Sequence, residues 1–157
     1  MLAQLEPSVL ISRWLHFAAF IVAVGGTIFI RLLLIPALRA LQPGDAGQPL
    51  RDTLFRRWGH VLHTSIAVLL LTGIYNAFVQ FPRHQPVPGQ VPLYHVLFGV
   101  KMLLVFALFF IAIAVTGRSR TFEALRRHRP AWLTVSIVLA AAIVLLSNLL
   151  KLLPVTS

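Results

Sequence analysis

Apolar and polar positions along the chain separate into blocks rather than alternating. Four long apolar blocks run from Trp14 to about Leu38, Trp58 to about Phe81, Leu93 to Thr116 and Ala131 to Leu150. A helix needs about 20 apolar residues to cross the hydrocarbon of a bilayer, and each block is long enough. Period-two alternation is missing, which argues against a β-barrel. Turn residues separate the blocks: Gln42-Pro43-Gly44-Asp45 with Gly47-Gln48-Pro49, then Pro82 to Pro92, then Arg129-Pro130. Proline is tolerated at a helix start, so Pro130 marks the beginning of the last span. The pattern predicts one membrane domain over residues 1–157. It is an all-α, antiparallel bundle of four transmembrane helices at about 12–38, 58–81, 93–116 and 131–151. The first block is too long for a signal-peptide core and is read as a mature helix.

Composition agrees with lipid as the solvent. Hydrophobic residues make up 58 % of the 157 and charged residues 11 %, against about a quarter charged in soluble domains. Cysteine is absent, which excludes disulfides, iron–sulfur clusters and thiolate metal sites. The formal charge of +10 is mostly topology. Arg39, Arg51, Arg56 and Arg57 fall in the first connection, and Arg118, Arg120, Arg126, Arg127 and Arg129 in the third. The second holds only Arg83. The positive-inside rule then puts the first and third connections in the cytoplasm and both termini outside. This predicts a bacterial inner-membrane protein with periplasmic termini. Trp14, Trp58, Trp132 and Tyr94 fall near the span ends, as an aromatic belt requires. The arginines lie in short connections without a recognition fold, so nucleic acid is not an expected partner.

Ionisable residues inside spans are costly and mark candidate sites. His16 and His95 stand at one depth on the outer side of two different helices. That arrangement suits a bis-histidine metal or haem site, whose axial ligands approach from opposite faces. His16 opens a stripe of small residues, Ala19, Ala23 and Thr27; His95 shares a face with Gly99 and Met102. Small residues allow close helix approach and also leave room for a planar macrocycle. The same two histidines also suit residues at the headgroup level that bond to water or lipid. Lys101 lies about 12 Å into its helix, near mid-membrane. On the inner side lie Arg31 and the pair His60 and His63, neighbours on one helix face. That pair offers two ligands of an incomplete metal site, with His63 the deeper. The four acids, Glu6, Asp45, Asp52 and Glu123, all lie outside the spans. Arg31 and Lys101 therefore need lipid phosphate, helix-end carbonyls, Asn side chains such as Asn76 and Asn148 at the outer level, a partner subunit or the propionates of a haem.

Trp14-Leu15-His16, then Gly25-Gly26-Thr27-Ile28-Phe29 and Pro36, resembles the opening helix of the copper-resistance D-type membrane proteins. Arg56-Arg57 with Thr72-Gly73-Ile74-Tyr75 resembles their second helix, and Phe98-Gly99-Val100-Lys101 with Arg118 their third. More distantly, size, helix number and Arg31-Leu32 after a histidine resemble the HemJ-type protoporphyrinogen oxidases, small four-helix proteins associated with haem b. The resemblance implies copper handling or haem binding. Cu(I) prefers soft ligands, and a copper site here would rest on His16 and His95, with Met102 the one sulfur donor in a span. The expected cofactor is haem b on His16 and His95, with Lys101 and Arg31 as cationic neighbours. Copper or no cofactor at all are the alternatives. Three roles follow: a redox-linked haem or metal protein, a copper transporter, or an accessory subunit of a larger respiratory or photosynthetic complex. The expected partners are the lipid bilayer and either further copies of the chain or other subunits. No glycine-rich phosphate loop, Ser-His-Asp set or intramembrane carboxylate pair points to soluble catalysis.

Overall fold

The computed structural model describes residues 6–41, 47–80, 93–117 and 120–152. Helix α1 (Pro7–Phe29) runs through a wide π-helical turn (Ile30–Leu34) into α2 (Ile35–Leu41). Next come α3 (Gln48–Gln80) and α4 (Leu93–Thr116). A tight turn (Arg120–Phe122) and the short α5 (Glu123–Arg127) lead into α6 (Arg129–Leu152). Among the described residues there is no strand. Among the same residues four helical rods are long and apolar enough to cross a membrane. The chain is a multi-pass membrane protein with an all-α, four-helix bundle.

The helices extend past the hydropathy limits. The first starts at Pro7 and α3 at Gln48, so Gln48 and Pro49 belong to a helix rather than to a connection. Proline in a first helical turn loses only a donor that has no partner there anyway. Hydropathy reports where lipid begins, whereas backbone hydrogen bonding continues through the polar stretch with Arg51, Asp52, Arg56 and Arg57. Helix α4 keeps its expected limits, and α6 adds a residue or two at each end.

Pro36 explains the π turn. It has no N–H for the carbonyl of Leu32, and its ring crowds that carbonyl. The chain widens the preceding turn, and the N–H of Ile35 reaches back five residues to the carbonyl of Ile30. Such insertions are the usual way a helix passes a local obstruction. Here the wide turn contains Arg31.

Packing joins the rods as two helical hairpins. Helix α1 lies along α3 and α4 along α6, and the pairs meet through α1 with α6 and α3 with α4. Helices α1 and α4 thus stand across the diagonal. Ala19 and Ala23 of α1 pack on Leu62, Ile66 and Leu69 of α3. Ile30, Phe55, Ile111, Val115 and Leu133 draw all four rods together nearer the other end. Gly26 gives the closest approach: a Cβ there would run into the indole of Trp58. Trp58 is therefore a packing residue with a buried indole N–H, not a member of the aromatic belt. Trp132 also packs against the interior cluster, while Trp14 is 65 % exposed.

Candidate functional site

One end of the bundle carries His16, Lys101 and Lys151; the opposite end carries Arg31 and the arginines of α3, α5 and α6. At the His16 end, polar residues recur every four positions on α1: Ser8, Ser12 and His16. Residues four apart share a helix face, and this face meets α3. The hydroxyl of Tyr75 donates to Ser8 Oγ at 3.0 Å. Ser12 Oγ lies 3.5 Å from the Thr72 carbonyl. His16 Nδ1 lies 2.8 Å from Thr72 Oγ1.

Hydrogen-bond accounting fixes the state of the His16 ring. The Thr72 hydroxyl has one proton, and it donates it to the Val68 carbonyl at 2.6 Å. It can therefore only accept from His16, so Nδ1 carries the hydrogen in the neutral ring. Nε2 then keeps its lone pair, and no side chain among the described residues engages it. A histidine held by one nitrogen and offering the other is the arrangement of metal-ligating imidazoles. Gly73 makes room for it: a Cβ there would stand 3.3 Å from His16 Cε1.

Around this ring the remaining helices contribute cations. Lys101 on α4 lies within electrostatic reach of His16, and Lys151 on α6 within reach of Lys101. On α3, one turn from Thr72, the side-chain oxygen of Asn76 is buried without a donor. The site thus has a free nitrogen, an unused carbonyl oxygen and ammonium groups. No carboxylate comes from α1, α3, α4 or α6 at this end; Glu6, just before α1, is the acid nearest in sequence.

The expected bis-histidine pair stands on two different helices, α1 and α4, at one end of the bundle. His16 turns toward α3. His95 sits in the first turn of α4 with Tyr94 edge-on at 5.6 Å, and Gly99, on the same face, opens on free space. The small-residue stripe at Ala19, Ala23 and Thr27 is buried and occupied by α3. The central cavity, between Ala23, Ile66, Phe109 and Ala140, measures about 60 Å³. Cofactor pockets are typically about 300–1,000 Å³. A macrocycle therefore does not fit inside the packed bundle, and the donors at the His16 end fit one nitrogen ligand with cationic neighbours.

At the opposite end, Arg31 Nε donates to the Pro130 carbonyl and to Thr134 Oγ1, both at 2.9 Å. The side chain thus ties the π turn to the first turn of α6 and needs no carboxylate. Arg129 stacks on Phe55 with its guanidinium carbon 4.0 Å from the ring centre. Arg127 and Glu123 form an exposed pair at 3.7 Å, which is worth little. His60 and His63 both lie on the exposed face of α3. Among the described residues no three potential ligands converge on a metal position. Other hydroxyls, including Thr27, Ser65, Thr116, Ser136 and Ser147, donate to carbonyls four residues back in their own helices. They offer no activated nucleophile.

Thr72 and Ser12 escape a reading based on ionisable residues. The signal that could reveal them is the four-residue recurrence of Ser8, Ser12 and His16, together with Thr72 and Asn76 at the same spacing. The chain matches no protein family, no curated protein and no solved structure.

Proposed function

We propose that this membrane protein binds haem b or a metal ion at the His16 end of the bundle and serves a redox-linked role. The observation behind the proposal is the free Nε2 of His16, whose ring is held through Nδ1 by Thr72. Because the interior has no room for a macrocycle, a haem would be held at this end, outside the Ala19 level. His16 would supply a ligand, and Lys101 and Lys151 would face its carboxylates. His95, on α4 at the same end, would be the second ligand. The distribution of arginines supports an inner-membrane orientation with this end on the outer side.

The test is the absorption spectrum and metal content of protein purified in mild detergent from haem-replete cells. A Soret band, or one equivalent of a transition metal, is expected in the parent protein. His16→Ala should lose it while helical content by circular dichroism is unchanged. Colourless, metal-free protein overturns the proposal. So does a Soret band, or a full equivalent of metal per chain, that survives His16→Ala.

A further inference from the structure

The outward face of α3 changes character along its length. Toward the His16 end it presents Leu71, Ile74 and Phe78, exposed by 71, 51 and 73 %. Toward the arginine end the same face presents His60, His63, Thr64 and Ala67, all exposed. Neither histidine ring has a hydrogen-bond partner among the described residues. An imidazole facing hydrocarbon loses the hydrogen bonds that water would give it. Thr64 and Ala67 are small, which lets a neighbouring helix come close.

His60 and His63 are three residues apart and point the same way. Together they offer two nitrogens, half of a tetrahedral set. No further ligand joins them from this chain's described residues. A second copy related by a two-fold axis presents the same two residues at the same level, because such a contact pairs a surface with itself. Four imidazoles then surround one position. Arg56 and Arg57, also exposed, lie about a turn away at the aqueous edge. Their mutual repulsion across the axis opposes pairing unless something holds the copies together.

We propose that two copies of the chain pair through this face of α3, with His60 and His63 of each binding one divalent first-row metal ion between them. The pairing depends on the metal, and the site is incomplete in a single copy. It is separate from the His16 site, which lies at the other end of the bundle.

The experiment measures protein mass and bound metal in mild detergent, with micromolar Zn²⁺ and with a chelator. With the His16 site removed by His16→Ala, the expected result is a dimer with one zinc per two chains that returns to monomer on chelation. His60→Ala and His63→Ala should each abolish the zinc-dependent dimer. Both positions are exposed, so the thermal melt of the monomer should not move. His16→Ala should leave the zinc-dependent dimer intact. A monomer at all zinc concentrations overturns the proposal. So does one zinc per monomer in the His16→Ala background, or a dimer indifferent to the chelator and to His63→Ala.

Discussion

Nδ1 of His16 stands 2.8 Å from a hydroxyl that has already given its proton away, to the carbonyl of Val68. Thr72 is thus an acceptor for His16 and a donor to its own helix, and it sets which ring nitrogen faces outward. Thr72→Val keeps the side-chain shape and removes the acceptor. Affinity for a group bound at Nε2 should fall by about 10–100-fold, the usual cost of losing such a support. Thr72→Ser should restore most of it. Ligand titration checks the affinity, and nitrogen chemical shifts of the His16 ring check the tautomer.

Gly73 tests the same site from the backbone. A Cβ 3.3 Å from His16 Cε1 forces the ring to shift by a few tenths of an ångström. Gly73→Ala should weaken binding at His16 while the bundle stays folded. Gly99→Ala, where nothing lies within 4 Å, should leave binding unchanged. Paired titrations of the two variants make the comparison.

The adjacent glycines of α1 should behave oppositely. Gly26 meets the Trp58 indole, while Gly25 has nothing within 4 Å. Gly26→Ala should destabilise the fold by about 1–3 kcal/mol, as overpacking does. Gly25→Ala should be neutral or stabilise by about 0.5–1 kcal/mol, since glycine gives up more backbone freedom than alanine on entering a helix. Denaturation in mixed micelles measures both.

Arg31 and Pro36 should be coupled. Arg31→Leu removes two hydrogen bonds to α6, at about 1–2 kcal/mol. Pro36→Ala restores the missing N–H, allows a regular turn and carries Arg31 away from Pro130. The double variant should therefore lose less than the sum of the two single losses. A double-mutant cycle on unfolding free energies gives the coupling directly.

The spans are legible in the sequence because each is a run of apolar residues in a chain with few charges. The start of α3 is not, because Gln48 to Arg57 is helical but polar. Pro36 carries a signal for the π turn, but not for which side chain the turn redirects. Arg31 reads in the sequence as a cation with several candidate partners, carbonyls among them; which carbonyl it meets, that of Pro130 beside the Thr134 hydroxyl, is decided by the packing of α1 against α6. His16 stands out as an ionisable residue in lipid. Its partner Thr72 does not, since which faces meet is decided by packing between α1 and α3. Trp58 misleads for a related reason: position near a span end says nothing of Gly26 opposite it.

The division into α1 with α3 and α4 with α6 has a consequence for biogenesis. Each hairpin closes its main contacts between helices that follow one another, so the first pair can pack before the second has been synthesised. Residues 81–92 join two units that each carry their own tightly packed seam. A chain severed there, with both pieces made in one cell, has the contacts needed to reassemble. The cation-rich His16 end, built from both units, is then completed last.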